Sequence, residues 1–489
     1  MKIVWVASEA VPFAKTGGLA DVSSALPDAL AERGHELSVI LPYYPQITGK
    51  LNLRFSRSID LLGVPLGGTT QWAKIHELPL KPGLNFYFIE YNRYFDRPTL
   101  YDWCGQEYSD NAERFIFFSR AAMEAVRTLG LTPDILHTND WHSALCCVYL
   151  KSPLYSGREN FRNCRSVLTI HNIGYQGIFD KGNLYWSGLG WEYFNYTCLE
   201  FYDRINLLKG GIMTADMVNT VSPTYASEIL SPEFGFSLDS CLRHCASQGK
   251  LRGILNGIDD KNWNPAADRF LPAFFTASDP APKQEAKRAL QQYFHLPERE
   301  ETPLFATISR LAYQKGLDVF ASGLEDLLYH DDFQFVVIGS GERSLEDHFR
   351  YLAGKYPERL AVYTGYAPDS LSHLAEGGAD FFVMPSRYEP CGLNQMYSMR
   401  YGTLPIVRHT GGLADTVTNF DSRNVGSATG FVFWDLFPEA LNGTIRWAAG
   451  VRKNDPVAFA RMRVNAMTRD FSWNNTASRY ERMYDDAHR

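Results

Sequence analysis

The chain has 489 residues, too many for one ordinary hydrophobic core, so two large α/β domains or three smaller ones are expected. With 45% hydrophobic and 21% charged residues it has the balance of a folded globular protein, which excludes a disordered chain. A net charge of −7 and a pI near 6.0 argue against nucleic acid or an anionic membrane as main partner, so any anionic ligand must meet local basic residues.

No stretch approaches the ~20 uncharged apolar residues of a membrane helix, and MKIVWVASEA reads as the first strand of a fold rather than as a signal or transit leader. A cytoplasmic location is the expectation. The eight cysteines show no CxxC pair and read as reduced thiols. Cys241 and Cys245 flank His244 but lack a second ligand pair, so structural zinc is not expected.

In chain order, KIVWVAS (2–8) reads as a strand, the next loop carries Lys-Thr-Gly-Gly, and Leu19, Val22, Leu26, Ala29 and Leu30 follow at helical spacing. Gly34 ends that helix and ELSVIL (36–41) gives the next strand, a βαβ opening of the dinucleotide-binding type. DILH (134–137) and SVLTI (166–170) are further strands. Residues 256–267 (NGIDDKNWNPAA) are polar and Gly/Pro-punctuated, which suits a hinge. Beyond them, LFATIS (304–309), FQFVVIG (333–339), LAVYTG (360–365), DFFVMP (380–385) and LPIVR (404–408) alternate with amphipathic helical runs. That alternation implies parallel, doubly wound sheets. The expected division is 1–255, 256–470 and a segment 471–489 that crosses back to the first domain.

One hexapeptide, Thr-Gly-Gly-Leu-Ala-Asp, occurs at 16–21 and again at 410–415, each time after a strand and at the start of a helix. A Gly-Gly pair lets backbone approach a ligand, and a helix start offers free N–H groups and partial positive charge. Both copies are therefore expected to face an anion. No Asp-x-Asp occurs, so the usual carboxylate pair of a metal-dependent sugar-nucleotide site is absent.

The blocks KTGGLADV (15–22), DNAERF (110–115), NDWH (139–142), TIHNIGYQG (169–177), NTVSPTYA (219–226), NGID (256–259), SRLAYQKG (309–316), PSRYEPCGL (385–393) and HTGGLADTV (409–417) span the chain in order. In them it resembles the glycogen and starch synthases of bacteria and plastids, the ADP-glucose-using branch of the two-Rossmann-domain (GT-B) glycosyltransferases. The resemblance implies two Rossmann-like domains facing a deep cleft, glucosyl transfer from ADP-glucose to the non-reducing end of an α-1,4-glucan with retention, and no cofactor or metal. Its partners are ADP-glucose or ADP and an α-1,4-glucan.

By the same resemblance Arg310 and Lys315, just past a strand end, take the leaving diphosphate. Glu389 is the carboxylate for the oxocarbenium-like transition state. The backbone carbonyl of His171 faces the same developing charge, and its ring binds a glucose hydroxyl. Lys15, Gly18, Asn256, Tyr366, Cys391, Gly392, Thr410, Gly411 and Gly412 fall on the donor side. Asp21, Asp140 and His142 fall on the acceptor side. Asp21 also has a sufficient structural reason in a first helical turn, and Tyr366 fits either a stacking face for the base or a core tyrosine. Related retaining transferases carry a second Glu where this chain has Tyr397. Aromatic residues of the first domain, among them Tyr101, Trp103, Tyr175, Trp186 and Trp191, are expected to carry the glucan. In EFGFSL (233–238) a more Gly-rich turn is expected, so this rim differs. A UDP-sugar transferase and a weakly active glucan-binding or priming protein are the rival readings. Front-face attack is favoured, with a covalent intermediate on Glu389 left open.

Overall fold

The computed structural model describes residues 1–489. It divides into two compact units, Met1–Gly257 together with Trp473–Arg489, and Ile258–Ser472. The chain therefore leaves the first unit once and returns to it.

The sheet of the first unit has nine strands, in spatial order Leu251–Gly253, Met217–Thr220, Arg165–Ile170, Ile135–Asn139, Lys2–Val6, Glu36–Pro42, Leu84–Glu90, Thr69–Lys81 and Arg57–Leu66. The first seven run parallel. The last two turn the edge antiparallel, an addition to the expected all-parallel sheet. Trp5 lies between Val39 and His137 in register. The pleat sends alternate residues of this strand to opposite faces. Ile3 and Trp5 pack with Val22, Leu26 and Leu30 of the helix Gly18–Glu32 and with Tyr480 and Tyr484 of the helix Trp473–Ala487. Val4 and Val6 pack on the other face with the helices Asn111–Thr128 and Asp140–Lys151. Helices on both faces explain why these strands read as unbroken apolar runs.

The returning C-terminal helix is held by specific bonds as well as burial. Tyr484 Oη lies 2.8 Å from His137 Nδ1, and Asn219 Nδ2 donates to Tyr480 Oη at 3.1 Å. Burial holds His137 well below its usual pKa, so its ring is neutral. Glu481 takes both Arg33 Nε and Nη2, at 2.8 and 2.7 Å.

The second unit has six parallel strands in spatial order Leu360–Thr364, Gln334–Gly339, Leu304–Ile308, Phe381–Met384, Leu404–Arg408 and Phe431–Phe433. Phe335, Phe305 and Phe381 stack across three neighbouring strands with centroids 4.9 and 5.0 Å apart. The expected hinge is largely part of this unit. Trp263 stacks on His373 and on Tyr397, each at 3.9 Å, and so fastens its segment to the unit. The two crossings run side by side, with Ile258 N donating to Phe471 O at 2.9 Å.

Candidate active site

Among the parallel strands of each unit the chain order reverses at one point. In the second this lies between Leu304–Ile308 and Phe381–Met384, and in the first between Lys2–Val6 and Ile135–Asn139. Loops leaving the carboxyl ends of such strands diverge and open a crevice. The residues singled out in the sequence lie in those loops.

In the second unit Lys315 and Glu389 meet at the reversal. Lys315 Nζ lies 3.0 and 2.7 Å from the two Glu389 oxygens, and Ser386 Oγ donates to Oε2 at 2.9 Å. Glu389 is 5% exposed, so its charge depends on these partners. Gly316, in the left-handed region at φ 65°, lets the loop of Lys315 close on Pro385, whose carbonyl oxygen would lie 1.9 Å from a Cβ at Gly316. The Arg310 side chain is exposed and pairs with no other side chain.

The second Gly-Gly loop stands against the same place. Gly412 N donates to Glu389 O at 3.0 Å, and a Cβ on Gly412 would fall 2.0 Å from Cys391 O. Thr410 precedes the helix Gly411–Thr416, Gly411 has φ 43° and Gly392 φ 72°. Tyr366 is 83% exposed, which removes the core reading. Tyr397, where relatives in the wider class carry a second Glu, is taken up by its stack on Trp263.

In the first unit the Gly loop is arranged differently. Glu9, directly after the first strand, turns its carboxylate into the loop: Oε2 accepts Thr16 N at 2.5 Å and Gly17 N at 3.4 Å, while Oε1 accepts Thr16 Oγ1 at 2.9 Å and Tyr101 Oη at 3.0 Å. Burial raises the Glu9 pKa, and the Thr16 amide opposes that. At this copy an internal carboxylate thus takes the Thr16 and Gly17 amides ahead of the helix start at Gly18. Glu9 was missed in the sequence, where it was only an acid after a strand. Lys15 Nζ pairs with Asp21 Oδ1 at 2.7 Å, across the start of the helix that opens at Gly18.

His171, Asp140 and Asn139 form a second group. Asn139 Nδ2 donates to Val6 O at 3.1 Å, which turns its Oδ1 toward His171 Nε2 at 3.0 Å. Nε2 therefore carries the hydrogen and Nδ1 keeps a lone pair. Burial pushes His171 down to about 3, so the ring stays neutral. Asp140 Oδ1 accepts His171 N at 2.7 Å. Its own backbone is left-handed at φ 51°, strain of the kind held at functional sites. Burial raises its carboxyl to about 7 against the pull of the His171 and Asn172 amides.

His142 is buried, with ring centroids 4.1 Å from Trp141 and 4.5 Å from Tyr101, and its Nδ1 lacks a partner. Asn256, one residue before the chain first leaves this unit, has its Oδ1 buried and unpartnered.

A cavity of about 510 Å³ lies beside this group, with walls that include Trp141, Tyr175, Gln176, Phe179, Tyr202 and Phe236. Gln176 Nε2 donates to Phe236 O at 2.9 Å. Phe236 and Ser237 both take left-handed φ, 48° and 66°, the conformation for which a Gly-rich turn was expected in EFGFSL. Trp103, Tyr175 and Trp191 are exposed, whereas Tyr101 is tied to Glu9. No group of three or more His, Cys, Asp or Glu is placed to hold a metal ion, and no helix is long and apolar enough to cross a membrane.

Comparison with known proteins adds independent findings. Residues 2–244 match the family described as starch synthase catalytic domain, and residues 291–450 match glycosyl transferases group 1. The chain is 46% identical to a glycogen synthase of Anaeromyxobacter sp. (strain Fw109-5), with 99% of each chain covered. It is 44% identical to glycogen synthase 1 of Geobacter sulfurreducens, covering 99% of this chain and 96% of that one. Among solved structures it is similar to the catalytic domain of starch synthase IV from Arabidopsis thaliana bound to ADP and acarbose, with TM-score 0.88, 34% identity and 99% of each chain covered. A sucrose-phosphate synthase from Thermosynechococcus elongatus shares the fold at TM-score 0.60 and 18% identity, covering 99% of this chain and 98% of that one.

Proposed function

The chain belongs to the glycogen and starch synthase family of glycosyltransferases, and from that premise we propose that it moves glucose from ADP-glucose to the non-reducing end of an α-1,4-glucan with retention of configuration. The observation that carries the donor half is the Lys315–Glu389 pair at the sheet reversal, flanked by the exposed Arg310 and the close-packed Gly412.

The chemistry follows from those groups. Cleaving the sugar–phosphate bond leaves charge on a diphosphate, which fixed cations and backbone N–H groups stabilise best when preorganised. Arg310 and Lys315 supply the cations and the 410–412 loop the backbone groups. As the diphosphate draws on Lys315, Glu389 keeps its negative charge near the sugar, where positive charge develops. His171 contributes a carbonyl to that charge and a ring lone pair to a hydroxyl donor. The aromatic cavity beside Tyr175 and Phe236 offers faces for the acceptor sugars. Front-face attack, with the leaving diphosphate taking the acceptor proton, requires no second carboxylate, which fits Tyr397 in its stack.

The reaction is read directly by incubating the protein with a maltooligosaccharide and labelled ADP-glucose or UDP-glucose. Elongation from ADP-glucose to α-linked product supports the proposal, and faster transfer from UDP-glucose overturns the donor. EDTA is expected to leave the rate unchanged. Loss of activity restored by Mg²⁺ or Mn²⁺ would show that Arg310 and Lys315 are insufficient for the diphosphate.

A further inference from the structure

The loops of the donor site are tied together by residues that stand outside the chemistry of glucosyl transfer. The loop 309–316 carries Arg310 and Lys315, with Tyr313 and Gln314 between them, and the loop 385–393 carries Glu389, with Arg387 two residues before it. A third loop, 408–412, brings the second Gly-Gly pair.

Arg387 reaches all three. Its guanidinium forks onto Asp318, in the first turn of the helix Leu317–His330, with Nη1 to Oδ1 and Nη2 to Oδ2 both at 2.6 Å. Nη1 also donates to Tyr313 O at 2.7 Å, and the guanidinium carbon lies 3.7 Å from the centre of the Tyr313 ring. The main chain of the same residue completes the tie. Arg387 N donates to Gln314 O at 2.9 Å, and Arg387 O accepts Arg408 Nη1, from the residue that ends the strand Leu404–Arg408 and precedes the Gly-Gly loop. Gln314 Nε2 donates back to Tyr388 O at 3.3 Å. The hydrogen bonds from Arg387 hold the Asp318 carboxyl below the usual carboxylate range, so the pair is ionised.

Stability alone does not account for this arrangement. The Asp318 side chain is 42% exposed, and an ion pair open to water on one side contributes little to folding. A bidentate fork with a ring against its face fixes direction instead. Arg387 grips the chain at Tyr313, Gln314 and Asp318, on both sides of Lys315 and just after Arg310. Displacing groups that act on a reacting centre by about an ångström is costly in rate. We infer, resting on the donor-site reading proposed for Arg310, Lys315 and Glu389, that Arg387 is a positioning residue: its fork on Asp318 and its stack on Tyr313 set the two cations against Glu389 without touching the substrate.

The test is steady-state kinetics on the whole chain with a maltooligosaccharide and ADP-glucose, or UDP-glucose if that is the faster donor, alongside thermal unfolding. Arg387→Ala and Asp318→Ala should each lower kcat by about tenfold, with the donor KM changed by less than about threefold and the Tm lowered by no more than about 3 °C. The double variant should be no slower than Arg387→Ala, because both changes remove one device. Asp318→Ala at the parent rate beside a slow Arg387→Ala would make Arg387 a direct ligand of the diphosphate and overturn the inference. Parent rates in both would reduce the pair to a surface bridge, effects that multiply in the double variant would separate the two residues, and a rate loss that follows unfolding would make the role structural; each of these overturns it too. Arg310→Ala and Lys315→Ala, measured beside them, keep the two readings apart. If those are crippled while the Arg387 and Asp318 variants are normal, the positioning role alone fails. If those turn over at the parent rate, the donor-site reading fails, and Arg387 has nothing to position.

Discussion

The hexapeptide Thr-Gly-Gly-Leu-Ala-Asp is folded in two ways by the same chain. At 16–21 the first glycine, Gly17, is extended at φ −154° and leads into a helix of 15 residues, with the amides of Thr16 and Gly17 closed by the side chain of Glu9. At 410–415 the matching Gly411 is left-handed at φ 43°, the helix has 6 residues, and the contact with a glutamate is from Gly412 N to the backbone oxygen of Glu389. The neighbours decide which conformation a permissive sequence takes. In the first unit the loop is stabilised from within and positions Lys15. In the second the carboxylate is turned to Lys315, and the loop meets that glutamate through Gly412 N and its backbone oxygen.

If that contrast is right, the largest effects belong to the second loop's surroundings. Arg310→Ala and Lys315→Ala should each lower turnover by about a hundredfold or more. Their stabilities should part. Arg310→Ala removes no side-chain pairing and leaves the Tm within about 1 °C, while Lys315→Ala strands a buried Glu389 and costs about 1–3 kcal/mol in urea unfolding. Equal stability in the two variants would show that the Lys315–Glu389 bond is not formed in solution.

The glycines test the two loops directly. Gly412→Ala forces a Cβ to 2.0 Å from a backbone oxygen and should cost about 2 kcal/mol together with at least tenfold in rate. Gly17→Ala meets no atom within 4 Å and should change stability by less than about 0.5 kcal/mol. Similar losses at both would erase the distinction. Glu9→Ala should cost about 1–3 kcal/mol by leaving the Thr16 and Gly17 amides unpaired, with Glu9→Gln recovering part of it. A null effect on unfolding would mean that water replaces the carboxylate.

The smallest effect is a pH dependence. The Asp140 carboxyl is raised to about 7 in the fold, so its contribution to stability is complete below its unfolded value near 3.8 and is lost as pH climbs through about 7. Asp140→Asn should therefore gain in Tm relative to the parent between pH 5 and 8.5. A difference independent of pH would place the ionisation elsewhere.

Much of this architecture is legible in the sequence because strands buried on both faces announce themselves as runs such as KIVWV and FQFVVIG. The edge pair Arg57–Leu66 and Thr69–Lys81 is not, since its antiparallel pairing depends on partners rather than on its own composition. Arg310, Lys315 and Glu389 stand out as candidates in the sequence through the blocks that carry the family resemblance and their places after strands. That Lys315 bonds Glu389 cannot be read, because the two come together only through the strand order. Glu9 was hidden for the related reason that one acid after a strand has no pattern. Trp263 looked like part of a polar linker, and only its partners His373 and Tyr397 show where it belongs.

The route of the chain between units also sets an order of assembly. Residues 1–257 leave the ribosome before the second unit, yet Tyr480 and Tyr484, which fill their core and bond Asn219 and His137, are made only after it. The second unit has all of its strands before then. Domains ordinarily mature in the order of synthesis. Here the unit begun first is finished last, and until Trp473–Arg489 arrives the nascent first sheet leaves the face of Trp5 and His137 without the helix that covers it.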